Sequence, residues 1–323
     1  MHKVSVIIPI YGVEKYIERC ARSLMEQTLD DIEYIFVNDC TTDSSMEILS
    51  QVINEYDNRK GATNIIHHAY NRGLPQARQT GLLYASGQYI VHCDSDDWID
   101  SQLYETMYNT AIAKDVDMVV CDCKIIKETS VDIRQGTRET NISNYTINML
   151  FQKDPLSMWN KMIKKSIYEN NIIFPQYNMG EDMATTLQLA RYCKTLAFVE
   201  GVYYYYDGTT LSITRNETKA ATLSRALQAC ANAQLVIDAF SRDTDNNVKH
   251  GLTHLKFMQR KLMMPIINHK DVYKIWKNTF PEINREVLFK RAVKINFYNR
   301  LKFFLTLINL LPYIKELTRK SIN

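Results

Sequence analysis

Apolar residues in the first 125 positions follow two alternating periods. Val4-Ser5-Val6-Ile7-Ile8-Pro9-Ile10 is a nearly continuous apolar, β-rich run, as expected of a strand buried on both faces. Tyr16, Ile17, Cys20 and Leu24 then mark a helical stripe at offsets near three and four. A second buried strand is predicted over Ile32 to Val37, and a second helical face from Met46, Leu49, Ile53 and Tyr56. Asn64 to His68 reads as a short strand, followed by a helix with Pro75 in its first turn, where proline is tolerated. Tyr89 to Cys93 and Asp117 to Cys121 supply two more strands. Alternation with short connections implies a right-handed, mostly parallel, doubly wound α/β sheet flanked by helices. Ligands of such sheets sit beyond the carboxyl ends of the strands.

From about residue 126 the rhythm weakens. Residues 145–170 read as helical, Leu196 to Tyr206 as a strand, and 216–270 as a long helical stretch. Beyond Arg285 one or two amphipathic helices are expected, broken at Pro312. The predicted organisation is a sheet domain over 1–214, with halves 1–125 and 126–214, then a helical C-terminal region over 215–323. No run reaches the 18 or more apolar residues of a membrane span, and no repeat of solenoid length is visible.

Composition, 46% hydrophobic and 23% charged over 323 residues, is that of a globular protein. Seven cysteines (20, 40, 93, 121, 123, 193 and 230) contain no CxxC pair and read as reduced, buried thiols of a cytosolic protein. Met1-His2-Lys3 leads straight into a strand pattern, so no signal peptide is expected. The net charge of +3 hides an asymmetry: residues 285–323 hold nine Lys or Arg against two acids, giving +7 there and −4 before it. Apolar residues (Val287, Leu288, Val293, Ile295, Phe297, Leu301, Phe303, Phe304, Leu305, Leu307, Ile308, Leu310 and Leu311) are interleaved with those cations. Two readings follow: an interfacial helix on an anionic leaflet, or a helix packed on the protein's own body with a solvated lysine face.

Four segments carry candidate chemistry. His92-Cys93-Asp94-Ser95-Asp96-Asp97-Trp98 lies at a strand exit, and its three close carboxylates repel one another unless a cation or solvent screens them. A hard ion such as Mg²⁺ or Mn²⁺ takes one or two carboxylates and completes its shell with phosphate and water oxygens. The plain alternative is an acidic turn with Asp97 or Ser101 capping the next helix. Phe36 to Ser44 leaves a second strand with Asp39 placed to accept from a base or ribose, while Asp43 or Ser44 can cap the following helix. Asn71 to Gly81 sets a loop glycine and Arg78 at a helix start, suited to a diphosphate. Asn178-Met179-Gly180-Glu181-Asp182 puts two acids at another helix start, an ordinary dipole effect when taken alone.

In this order and spacing the segments resemble family 2 glycosyltransferases of the GT-A fold. The resemblance runs from Val4 to about Ser212 and takes in Trp159-Asn160-Lys161 and Tyr204-Tyr205-Tyr206 followed by Ser212. It implies a metal-dependent, inverting hexosyltransferase that moves a sugar from a nucleotide-sugar, UDP being the family's usual nucleotide, to an acceptor hydroxyl. Pro9, Tyr11 and Asp39 would line the base pocket, and Arg78 would help hold the nucleotide. Asp94 would face the ribose, and Asp96, beside Asp94, would bind a divalent Mg²⁺ or Mn²⁺ on the diphosphate. Asp182 would be the general base with Glu181 beside it; Trp98, Trp159, Asn160 and Lys161 would border the acceptor side. The implied setting is cytoplasmic, on the inner face of the membrane, with a saccharide or lipid-linked acceptor from surface polysaccharide synthesis and no nucleic acid partner. Two departures stand out. Asn38-Asp39-Cys40-Thr41 lacks the family's loop glycine, and Asp207 replaces the Arg or His common after the tyrosines. An oxidoreductase would want GxGxxG where Pro9-Ile10-Tyr11-Gly12 stands. A sugar nucleotidyltransferase would want a glycine-rich N-terminal loop, which is missing. A non-catalytic nucleotide-sugar-binding protein would have no need of both Asp96 and Asp182.

Overall fold

A computed structural model describes residues 2–209 and 218–313. Ser212 and the tail residues Lys315, Glu316, Arg319 and Lys320 lie outside the described residues. The chain divides into two compact units, Met1–Thr146 with Asp154–Leu211, and Ile147–Lys153 with Ser212–Asn323.

The first unit is built on one sheet. Its strands are β1 (Val4–Ile10), β2 (Ile32–Asn38), β3 (Thr63–His67), β4 (Tyr89–His92), β5 (Trp98–Ile99), β6 (Met118–Ile126), β7 (Val131–Arg134), β8 (Lys161–Lys164) and β9 (Leu196–Asp207). Their order is β3-β2-β1-β4-β8-β6-β9-β5, with β7 paired to β6. The first four strands are parallel: Val4 lies opposite Ile32 on one side and Tyr89 on the other. Every residue of β1, β2 and β4 is buried, the pattern of strands covered on both faces. The helix Leu74–Tyr84 packs on β1 and β2, and the helix Leu103–Lys114 on β6 and β9. Val6, Ile8, Phe36, Val91, Met107 and Met162 join one core between these layers.

The second half of the sheet departs from the expected parallel order. β8 runs antiparallel between β4 and β6, β5 and β7 pair antiparallel with β9 and β6, and only β6 with β9 is parallel. The sequence pattern had suggested a helix over 145–170. A helix does form, Ile142–Leu150, but Pro155 disfavours helical backbone at Asp154 before it. The buried Asp154 carboxylate accepts from the Thr137 N–H and hydroxyl, both at 2.6 Å. The chain then enters β8, where Met162 and Ile163 are buried.

The second unit is helical. The stretch expected over 216–270 is two helices, Lys219–Ala239 and Asn246–Lys261, the second capped by Asp245, which accepts from Asn247 N at 2.7 Å. Helices Lys270–Asn278, Asn284–Phe289 and Phe297–Leu307 follow. Phe257, Ile267, Trp276, Val287, Val293 and Phe303 form the core. The tail breaks at Ile308–Asn309, where Asn309 has φ +60°, and Pro312 falls within the helical residues 310–313. Both readings of the tail find a face: Val287, Val293, Ile295 and Phe303 are buried, whereas Phe297, Leu301, Phe304 and Ile308 are exposed. Among the described residues no helix is long and apolar enough to cross a membrane. All seven cysteines are free, five of them buried.

Candidate active site

The loops leaving β1 and β2 are laced together. Gly12 N donates to the Thr41 hydroxyl at 2.9 Å, Val13 N to the Ser45 hydroxyl at 3.1 Å, and Glu14 N to Asp43 at 3.0 Å. Asp43 also accepts from Ser45 N at 3.2 Å, at the start of the helix Ser45–Asn54, whose N-cap position is Ser44. Cys40 has φ +59°. It therefore adopts the left-handed backbone that glycine would take without strain. Pro9 is buried in β1 opposite Val37, while Tyr11 beyond it is 55% exposed.

Asp39 is held from three directions. One oxygen accepts from Arg72 N at 2.8 Å and lies 2.7 Å from His68 Nδ1, and the other accepts from Gly73 N at 2.8 Å. The far nitrogen of His68 meets the Thr80 hydroxyl at 2.9 Å. Gly73 has φ +88°, and the next residue, Leu74, donates its N–H to Asn178 Oδ1 at 3.1 Å. One turn thus joins the β2 loop to the segment that carries Glu181 and Asp182.

One helical turn further, Arg78 is 2% exposed. One of its terminal nitrogens donates to both Glu181 and Asp182, and the other to Asp94 at 2.6 Å. The side chain expected to hold the nucleotide is instead the shared counter-ion of three carboxylates. Their environments differ. Burial pushes Glu181 well above its ordinary range, and Asp94 also rises, because burial outweighs the attraction of Arg78. Burial also pushes on Asp182, but the Arg78 charge and hydrogen bonds from Glu181 and Arg78 overcome it and hold Asp182 low. The Asp182 and Asp94 side chains remain 33% and 25% exposed, and Glu181 only 4%. Asp182 is therefore the reachable carboxylate of the pair and is held low, beside an inward Glu181 that burial holds high.

The acidic loop after β4 closes the same end of the sheet. Asp97 is fully buried and accepts from the Tyr204 hydroxyl at 2.7 Å and Asp207 N at 2.8 Å, so it ties the loop to β9 and caps no helix. Tyr204 accepts in turn from Asp94 N at 3.0 Å. Asp207 pairs with Arg19 at 2.6 Å, and the same Arg19 nitrogen donates to the Asp96 carbonyl at 2.9 Å. Arg19 lies 3.6 Å over the Trp98 ring, whose other partner is Tyr205, stacked at 5.2 Å. Asp96 is left half-buried; burial first, then its neighbours Asp94 and Asp207, raise its carboxyl to about 6. Among the described residues no three acidic, histidine or cysteine side chains are arranged to enclose a metal. Asp94 and Asp96, two partly exposed carboxylates two residues apart on one loop, nevertheless fit a cation that completes its shell with phosphate and water.

Trp159, Asn160 and Lys161, expected at the acceptor side, are 7, 2 and 1% exposed. Trp159 stacks on Tyr204 at 4.3 Å, and Lys161 donates to the carbonyls of Pro155 and Ser157 and to Asn160 Oδ1 at 2.7–2.9 Å. They brace the floor under the acidic loop. Four side chains that position the site carried little sequence signal. His68, Asn178 and Tyr204 lie within segments singled out for other reasons, and Arg19 sits on an ordinary helical face.

Comparison with known proteins follows the same lines. Residues 5–178 match the model of the family described as Glycosyl transferase family 2. The chain is 31% identical over 213 residues to the putative glycosyltransferase EpsH of Bacillus subtilis, covering 63% of this chain and 60% of EpsH. It is also 31% identical over 221 residues to the poly(ribitol-phosphate) beta-glucosyltransferase of Bacillus spizizenii, covering 65% of this chain and 34% of that protein. The matched stretch thus spans less than two thirds of either relative. The crystal structure of S. aureus TarS 1–349 in complex with UDP-GlcNAc superimposes with a TM-score of 0.61 at 17% identity, over 99% of this chain and 92% of TarS 1–349. At that identity the likeness is one of fold.

Proposed function

The chain belongs to glycosyl transferase family 2, and from that premise we propose that it transfers a sugar, with inversion, from a UDP-sugar to an acceptor hydroxyl. The observation that carries the proposal is the single buried guanidinium of Arg78 holding Asp94, on the donor side, and Asp182, on the reacting side, in one network. Asp39, fixed by the Arg72–Gly73 turn, receives the base, with Pro9 behind it and Tyr11 free to cover it. Asp94 and Asp96 would hold a Mg²⁺ or Mn²⁺ ion, which when bound would neutralise charge on the leaving diphosphate.

Asp182 takes the acceptor's proton while the acceptor oxygen bonds to the anomeric carbon and the bond from that carbon to the diphosphate oxygen breaks. A carboxylate held low by Arg78 is a weak base, so the proton moves late, once the oxygen has begun to bond and grown acidic. Glu181 steadies Asp182 through their mutual hydrogen bond. Trp98, clasped between Arg19 and Tyr205, marks the rim beyond the acidic loop. The similarity to a poly(ribitol-phosphate) glucosyltransferase supports an acceptor from cell-surface polymer synthesis, either a saccharide or a lipid-linked saccharide. The exposed apolar and basic face of the tail supports peripheral residence on the cytoplasmic side of a membrane.

Asp182→Asn should lower transfer by at least about 10²-fold while nucleotide affinity stays within about twofold. Asp96→Ala should lose the Mn²⁺-dependent part of nucleotide affinity. Transfer at the parental rate in Asp182→Asn, measured by UDP release with acceptor present, would remove the assignment. Nucleotide binding without any UDP release in the parent chain would point to a binding protein.

A further inference from the structure

The second unit contains a cavity of about 350 Å³ that none of the chemistry above uses. That volume is at the lower end for small-molecule sites. Its walls are apolar, with Phe257, Met264, Trp276 and Phe303 among them, and two cations, Lys261 and Lys302, stand on its lining without an acid. Among the described residues neither lysine has an ion-pair partner, and Lys302 lies 4.2 Å over the Tyr298 ring, which also lines the cavity. Behind the wall, Arg260 is fully buried against the faces of Trp276, at 3.7 Å, and Phe303, at 4.9 Å. Its terminal nitrogen bonds to Asn284 at 2.6 Å, but the other terminal nitrogen and Nε have no partner, nor has Trp276 Nε1. Buried donors without acceptors are costly, and the acid whose charge acts on Arg260, Glu282, is paired with Lys256 at 2.7 Å. The two lysines on the lining, with this arginine behind the wall, make the cavity electropositive as well as apolar.

The helix Phe297–Leu307 sets this cavity beside a second feature. Its residues 298, 302 and 303 line the cavity, whereas Phe297, Leu301, Phe304 and, just past its end, Ile308 form an exposed stripe at helical spacing, 41–79% accessible together with Leu310. Apolar exposure of this kind marks an interaction surface, and with +7 over residues 285–323 the complementary surface is anionic.

We propose that this cavity accepts the apolar chain of a membrane lipid with an anionic phosphate head, the chain lying against Met264, Pro265, Tyr298 and Leu311, over the buried Phe257, Trp276 and Phe303, and the head between Lys261 and Lys302. The inference rests on the membrane reading of the tail given above and names the site it uses. The space suits a chain of about ten carbons, each methylene being close to a water molecule in volume.

The probe is a series of alkyl phosphates below their micelle concentrations, titrated calorimetrically into the full-length chain. One saturable site is expected, with affinity rising about tenfold for every two added carbons and levelling near ten. Inorganic phosphate and an alkyl trimethylammonium of equal length should bind at least tenfold more weakly. Lys261→Glu with Lys302→Glu, and separately Asn299→Phe to fill the mouth, should each weaken octyl phosphate at least tenfold while UDP titration stays unchanged. An affinity that climbs without a plateau, or that ignores headgroup sign or Asn299→Phe, overturns the site. Sedimentation with vesicles of phosphatidylglycerol separates the two ideas. Vesicle binding without alkyl phosphate binding sinks the cavity alone; failure of both sinks the membrane reading with it.

Discussion

Arg78 shows how far a residue's role can shift between its sequence context and its contacts. Its place in the first turns of a helix after a glycine loop pointed to a diphosphate, and four acids, Asp39, Asp94, Asp96 and Asp182, were recognisable at strand and helix ends. What the sequence did not disclose is that Arg78 meets Glu181 and Asp182 from more than a hundred positions away and lies almost wholly buried. Burial of a cation is decided by its partners, and partners so distant leave no local periodicity. The two roles separate experimentally. Arg78→Lys supplies one compact charge where a planar fork spans three carboxylates, so Asp182 loses its orientation. We expect turnover to fall at least tenfold with nucleotide affinity changed less than threefold. If donor affinity falls and turnover at saturation does not, Arg78 contacts the nucleotide after all.

At the scale of elements, β1, β2 and β4 were legible because each is a nearly continuous apolar run, and the first two helices because each carries an apolar stripe; β3, with only Ile65 and Ile66 apolar, and the helix after it, opened by Pro75, carried a weaker signal. β8 was not legible. Its four residues are flanked by buried Trp159, Asn160 and Ile167, and an apolar stretch of that kind fits a helix as well as a strand. The turn that joins elements into a site was half legible: a glycine was visible before the Leu74 helix, but not what it must avoid. Gly73 has φ +88°, and a Cβ there would stand 2.7 Å from Asn178 Oδ1, the atom that receives Leu74 N. Gly73→Ala therefore combines positive-φ strain of roughly 1–3 kcal/mol, its ψ of 160° lying in a region nearly reserved to glycine, with displacement of Asn178, and Asp39 loses a well-placed N–H. A fall in stability of about 1–3 kcal/mol is expected by denaturant titration, with weaker UDP binding. Gly61→Ala is the control, since that position has ordinary φ and open space around it; it should stay within about 0.5 kcal/mol. Equal effects at the two sites would show that the Gly73 turn does not shape the nucleotide loop.

For the whole molecule, the informative property is how charge is distributed. The body up to residue 284 is mildly acidic and the tail strongly basic, so a uniformly attractive field for anions is absent and the attraction to an anionic leaflet is concentrated at the tail. The asymmetry was visible in the sequence; the division of the tail's apolar residues between a core and an exposed stripe was not, because composition alone does not say which face packs. Attraction of about 1 kcal/mol per Lys or Arg near an anionic surface is screened within a Debye length of about 10 Å at 0.1 M salt and about 3 Å at 1 M. Burial of Phe297, Leu301, Phe304 and Ile308 in the interface is insensitive to that screening. The two contributions should therefore separate in one experiment with the full chain and phosphatidylglycerol vesicles. Affinity should fall more than tenfold between 0.05 and 0.5 M salt and then level off above zero, and Phe297→Ser with Phe304→Ser should remove the residue that persists at high salt. Vesicles of phosphatidylcholine should show only that salt-independent remainder. Binding that is equal on the two lipids, or that vanishes wholly with salt, would mean that the tail's apolar stripe and its charge do not act on the same surface.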